Sequence, residues 1–146
     1  MSVFADSSAL VKLYSDEVGA DIVRAVDVMI VSHVARVEVP AAFWRKQRSG
    51  ELDPEAARVL TQEFEADFFG TIEESARFIA VSTSTAVLDR AAGLCAVHPL
   101  RTHDAIQFAS ALATRDVEPG CATLAAFDSG LRRAAAAEGF ALLPPR

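Results

Sequence analysis

Val3-Phe4-Ala5-Asp6-Ser7-Ser8-Ala9-Leu10-Val11 opens the chain with the pattern that decides its fold. A three-residue apolar run ends on a carboxylate, and two hydroxyl residues then lead into apolar positions at helical spacing, Leu10, Val11 and Tyr14. The pattern predicts a short buried strand over 3–5, a turn at Asp6 and a helix from Ser7 to about Ser15.

The same strand-then-helix grammar repeats to the other end. A short helix fits 20–26 after Gly19, and Val28-Met29-Ile30-Val31 is a continuous apolar run suited to a strand covered on both faces. A long helix follows over about 32–48. Asp53-Pro54-Glu55 is a strong helix start, with a capping acid and proline at the first helical position, and that helix runs to about Phe69 before Gly70. Further strands are expected over 78–81, 121–127 and 140–143, and helices from the Ser82–Thr85 cluster to about 96, from a Thr102 cap to about 115, and over 131–138. Alternation of this kind predicts an α/β layer fold with a largely parallel sheet. No linker, repeat or low-complexity stretch interrupts residues 1–146, which read as a single domain.

Composition narrows the function. The chain has 146 residues, 51% of them hydrophobic, which excludes intrinsic disorder. No apolar stretch reaches the roughly 20 residues of a membrane span, and the first residues lack the basic and apolar regions of a signal peptide. Cys95 and Cys121 suggest reduced thiols in a cytoplasmic protein rather than a disulfide framework. With 14 basic and 20 acidic side chains the net charge is −6, which argues against nucleic-acid binding by charge alone but not against acids that ligate a metal. Twelve of the basic residues are arginines, suited to bidentate contacts with phosphate or carboxylate.

Ligands of parallel α/β sheets bind beyond the carboxyl ends of the strands. Asp6 follows the first strand and Asp128 the fourth, and each also stands where a helix cap is wanted. Glu38 falls within the helical stripe Val34, Val37, Ala41 and Trp44, where a carboxylate must be paired, for example with Arg45, or protonated, or bound to a metal. Asp104 lies in the first turn of its helix, beside Arg101, Thr102 and His103. Carboxylates that converge repel one another unless a divalent cation sits among them, and all-oxygen ligands select Mg²⁺ or Mn²⁺ over Zn²⁺. Such a cage suits metal activation of water for in-line attack on a phosphodiester.

Phe4-Ala5-Asp6-Ser7-Ser8-Ala9-Leu10-Val11-Lys12, Val37-Glu38-Val39, Leu100-Arg101-Thr102-His103-Asp104-Ala105-Ile106-Gln107 and Leu124-Ala125-Ala126-Phe127-Asp128 together resemble the PIN-domain family, in order along essentially the whole chain, and within it the VapC-type toxins of bacterial toxin–antitoxin pairs. The resemblance implies a three-layer α/β/α fold whose acidic quartet binds Mg²⁺ or Mn²⁺ and cleaves RNA, leaving a 5′-phosphate and a 3′-hydroxyl. By matching motif, Asp6 and Asp104 would be the core metal ligands, Glu38 and Asp128 would complete the cage directly or through water, and the Ser8 hydroxyl would support the site. The last motif, Ala-Ala-Phe-Asp, lacks the Thr or Ser found nearby in many relatives, which makes Asp128 the least anchored member. The resemblance also implies a cognate antitoxin protein and a homodimer.

Other residues tempt less. His103 adjoins Asp104, but neighbouring helical positions point about 100° apart. His33 and His98 have no zinc-like spacing, Ser7 and Ser8 no nucleophile elbow, and the glycines form no phosphate loop. Arg36, Arg45, Arg48 and Arg101 are candidates for substrate backbone contacts, or else for solvated ion pairs. Phe64, Phe68 and Phe69 read as core, or more sharply as a partner surface. Two rivals remain: a phospho-acceptor receiver domain, which would want paired acids after the first strand and a late lysine, and a catalytically degenerate PIN-fold partner-binding protein.

Overall fold

The computed structural model describes residues 1–146. Five strands and seven helices alternate: β1 (Ser2–Ala5), α1 (Ser7–Val11), α2 (Ala20–Arg24), β2 (Val28–Ser32), α3 (Ala35–Arg48), α4 (Pro54–Phe69), β3 (Phe78–Val81), α5 (Thr85–Val97), α6 (Thr102–Val117), β4 (Thr123–Ala125), α7 (Ser129–Ala137) and β5 (Ala141–Leu143). The strands form one sheet in the order β3-β2-β1-β4-β5, and every pairing is parallel. The α/β class, the parallel sheet and the layered arrangement expected from the alternation are therefore present.

The strands are short and apolar because both sheet faces are covered, and their period of two divides the core. Val3, Ala5, Met29 and Val31 point to one face, where they pack with Ala35, Val39 and Phe43 of α3 and Phe64 and Phe68 of α4. Phe4, Ile30 and Leu124 point to the other, against Phe108 and Leu112 of α6 and Leu131 and Ala135 of α7. Helix α5 lies outside α6, through Val87 and Ala91 against Ala105 and Ala109.

Several elements differ from their predicted extents, for identifiable reasons. Helix α1 stops at Val11, because Lys12, Leu13 and Tyr14 each bond back three residues, to Ala9, Leu10 and Val11, in a tighter turn. The Tyr14 hydroxyl then donates to Asp67 on α4 at 2.5 Å. Strand β2 extends through Ser32, and α3 begins only at Ala35, because the His33 amide is still bonded to Val81 of β3. Strand β4 is confined to 123–125 because the Phe127 amide leaves the ladder for the Ser8 hydroxyl. Arg101, rather than Thr102, occupies the N-cap position of α6.

The core-facing stripe of α3 is Ala35, Val39 and Phe43, not Val34, Val37, Ala41 and Trp44. Val37 is 70% exposed. Both stripes are apolar and helically spaced, and composition alone does not choose between them. Packing against β1 and α4 does.

Phe64 is fully buried at the centre of the aromatic cluster, with ring centroids 5.9 Å from Tyr14, 5.8 Å from Phe68 and 6.2 Å from Phe78. Phe64→Ala should therefore lower unfolding free energy by about 3–5 kcal/mol. Urea unfolding checks this: the midpoint should fall with an unchanged slope, and a loss below about 1 kcal/mol would contradict the packing described.

Candidate active site

The chain builds β1, β2 and β3 outward in one direction and then returns to lay β4 on the other side of β1. Between β1 and β4 the sheet changes its winding direction, and the carboxyl ends of these two strands diverge to leave a crevice. Asp6 follows β1 directly, and Asp128 stands three residues beyond β4.

Both residues cap helices, as their positions suggested. Asp6 Oδ1 accepts from the Ala9 amide at 3.0 Å, and Asp128 Oδ2 accepts from the Leu131 amide at 2.9 Å. In each case only one oxygen serves the cap. The capping and the site-lining roles thus coexist in the same side chains.

Ser8 ties the crevice together. Its hydroxyl donates to Asp6 Oδ1 at 2.7 Å and accepts the Phe127 amide at 2.9 Å, so one side chain joins the end of β1 to the segment leaving β4. A serine two residues after the first acid reaches both because α1 has just begun.

A cavity of about 200 Å³ opens here. Asp6, Glu38, Asp104 and Asp128 all line it, with Ser8, Arg45 and Arg101. His103 lines it too, despite its angular offset from Asp104. The first turn of α6 is aimed at the cavity by its end, so side chains leaving at different angles meet the same space. Arg36 does not line it; its guanidinium lies over the Phe69 ring at 4.9 Å.

Burial decides the electrostatics. Asp6 is 3% exposed and Asp104 5%. Burial pushes the Asp6 carboxyl up to about 7, with Asp104 and Glu38 adding to the rise and the Ser8 and Ala9 hydrogen bonds opposing it. Glu38 is also raised, chiefly by burial. Its partner is not Arg45, with which it forms no ion pair. Instead Gln107 Nε2 donates to Glu38 Oε1 and to the Ser7 hydroxyl, each at 2.9 Å.

Gln107 is the residue that sequence reasoning passed over. It stands one turn after Asp104 on the buried side of α6, and it is 1% exposed. A buried amide flanked by apolar residues is the signal, since it needs polar partners there. Its Oε1 has none.

Arg101 supplies the cation nearest the acids. Its Nε donates to Asp104 Oδ2 and its Nη2 to Asp128 Oδ1, both at 3.0 Å, while the side chain stays 65% exposed. One flexible arginine thus bridges two of the four carboxylates.

The donor set suits a hard dication in kind: oxygen ligands, mutual repulsion among the acids, a buried carboxylate held above its usual range, and an unpartnered amide oxygen at the wall. As arranged, no three of these side chains converge on one point, because Asp104 and Asp128 are turned to Arg101. Arg101 has to yield those two carboxylates for the four to act together.

No family model matches the sequence. Two curated proteins of Mycobacterium tuberculosis do, Ribonuclease VapC45 of strain CDC 1551 and Ribonuclease VapC49 of strain H37Rv, each 32% identical across 97% of this chain and 94% of the relative. Among solved structures, Mycobacterium tuberculosis VapC20, described as a toxin that cleaves the sarcin-ricin loop, superposes with a TM-score of 0.62 at 18% identity, covering 94% of this chain and 95% of the other. A chain of a toxin–antitoxin complex from Klebsiella pneumoniae superposes with a TM-score of 0.55 at 17% identity, over 88% of each.

The raised Asp6 pKa carries a stability consequence for the metal-free protein. The unfolded chain releases this proton near 3.8 and the folded chain near 7, so folding stability falls as pH rises between those values and stays lower above them. Asp6→Asn, which keeps the acceptor for Ser8 and Ala9, should be the more stable protein at pH 8, by up to about 4 kcal/mol. The gap should close by about pH 4. Thermal melts in chelator at both pH values check this, and equal gaps at the two would contradict it.

Proposed function

The chain belongs to the VapC ribonuclease family, and we propose that it is a metal-dependent endoribonuclease toxin whose centre is the cavity between β1 and β4. The observation that carries this is that Asp6, Glu38, Asp104 and Asp128, drawn from four separate parts of the chain, line one cavity. Nothing in the site favours a degenerate partner-binding protein, which would have no need to keep four acids there at a cost in stability. The receiver-domain rival fails on the same geometry, since no lysine lines the cavity.

Asp6, Asp104, Glu38 and Asp128 would hold one or two Mg²⁺ or Mn²⁺ ions. Bound there, the metal would lower the pKa of a water and offset charge on the phosphate. The chain's own residues supply the rest. Ser8 and the Ala9 amide fix the Asp6 carboxylate through Oδ1 and leave Oδ2 toward the cavity. Gln107 fixes Glu38 through Oε1 in the same way.

Arg101, once released from Asp104 and Asp128, is exposed at the rim and placed to meet a phosphate oxygen bidentately. Arg45, also at the wall, is a second such cation. Arg36 would act only on substrate lying farther out, near Phe69. The products would be a 5′-phosphate and a 3′-hydroxyl.

A cognate antitoxin belongs to the same proposal, supported by the Klebsiella relative's occurrence in a toxin–antitoxin complex. So does a homodimer, for which Val37, Phe69 and Ile72 offer exposed apolar surface. No helix is long and apolar enough to cross a membrane.

Asp6→Asn should abolish cleavage of RNA, by 10³-fold or more, roughly the scale of losing an essential catalytic group, while circular dichroism stays that of the parent. The check is a gel assay with total RNA in Mn²⁺. An undiminished rate in the variant would sink the mechanism.

A further inference from the structure

A polyanion approaching this chain meets a net charge of −6 and a cavity lined by four carboxylates. Like charge on that scale repels RNA unless cations are gathered locally along its path. Half of the fourteen basic side chains are already committed: Lys12 and Lys46 pair with Glu17, Arg24 with Asp16, Arg58 with Glu55, Arg77 with Asp67, Arg90 with Asp116, and Arg101 with Asp104 and Asp128. Arg132, Arg133 and Arg146 are in no ion pair, and all three line a single groove of about 470 Å³ along α7 and the end of the chain.

The groove contains no carboxylate side chain. Arg132 is built into its wall: Nη1 donates to the Ala126 carbonyl at 2.9 Å and Nη2 to the Pro144 carbonyl at 2.8 Å. Both partners are uncharged, so its full positive charge remains for a ligand. Arg133 projects from the exposed side of α7, and Arg146 is also exposed. The Ser129 hydroxyl and the apolar surfaces of Phe127 and Leu142 complete the lining.

Its position links it to chemistry. Phe127 and Ser129 line the groove, whereas Asp128 between them lines the acid cavity. One three-residue segment therefore separates the two spaces, and a chain crossing it passes directly from one to the other.

We infer that this arginine groove is the binding track for the RNA backbone on one side of the scissile phosphate: Arg132, Arg133 and Arg146 neutralise successive phosphates there, and Phe127 and Leu142 receive a base face. The inference rests on the ribonuclease function proposed above and adds where the substrate lies. RNA fits better than an acidic protein segment because the groove adjoins the acid cavity across the 127–129 segment, where a carboxylate-bearing peptide would be repelled and a phosphodiester would be cut. Arginine beside an aromatic surface also suits stacked bases.

The test uses the full chain and an Arg133→Gln/Arg146→Gln double variant. These exposed positions touch none of the four acids. Binding of a fluorescein-labelled single-stranded RNA decamer is followed by anisotropy in chelator at several KCl concentrations, and cleavage is followed in Mn²⁺. Losing two phosphate contacts should flatten the slope of log Kd against log salt by about 1.4 and raise KM on the order of tenfold. Turnover number, Mn²⁺ affinity and melting temperature should stay unchanged.

An unchanged salt slope and KM would overturn the groove assignment while leaving the nuclease intact. Parent protein that binds the decamer with the full slope yet does not cut it would refute the nuclease function and keep the groove as an RNA site. Absence of RNA binding by the parent would overturn both. A variant that keeps its RNA affinity but loses affinity for a poly-glutamate peptide would reassign the groove to an acidic protein segment.

Discussion

A carboxylate buried as deeply as Asp6 must either give up its charge or be held by fixed donors, and the region around the site is organised by that requirement. The Ser8 hydroxyl and Ala9 amide hold one oxygen, and the same hydroxyl accepts the Phe127 amide. That three-way junction ends the β4 ladder, fixes the segment carrying Asp128 and keeps β1 and β4 open at the winding reversal. The glycine before α2 answers to the same junction: Gly19 has φ of +91°, and a Cβ there would come within 2.6 Å of the Phe127 ring. The cavity is thus a by-product of sheet topology that one serine makes rigid.

The site is under electrostatic tension. Two acids are held above their ordinary range by burial, and the nearest cation, Arg101, is an exposed side chain shared between two of them. Its pairing adds little stability, since solvent screens it. It does keep Asp104 and Asp128 turned to the guanidinium, so the same contact that relieves repulsion also disperses the acid cluster. In the proposed function a dication would compete for those carboxylates with the arginine, which holds two of the four.

Much of this was legible in the sequence because strand ends and helix caps carry short-range signals. Asp6 and Asp128 could be placed at the mouth of the sheet from an apolar run followed by a capping acid, and Asp104 from its place in a first helical turn. Glu38 was harder. Its sequence neighbours place it on an apolar stripe that faces solvent at Val37, whereas its half-buried position comes from the flank of the core stripe, Ala35, Val39 and Phe43. Gln107 was missed because its partners, Ser7 and Glu38, lie 100 and 69 residues away. Arg101 was legible as a cation near Asp104 but not as a bridge to Asp128, which depends on where α7 begins relative to α6.

The claim on which everything else depends is that the four acids act as one metal site. Titration calorimetry of Mn²⁺ into the full chain and into Asp104→Asn measures it directly. The account predicts binding by the parent that disappears in the variant. Equal heats in the two proteins, or none with the parent, would contradict it.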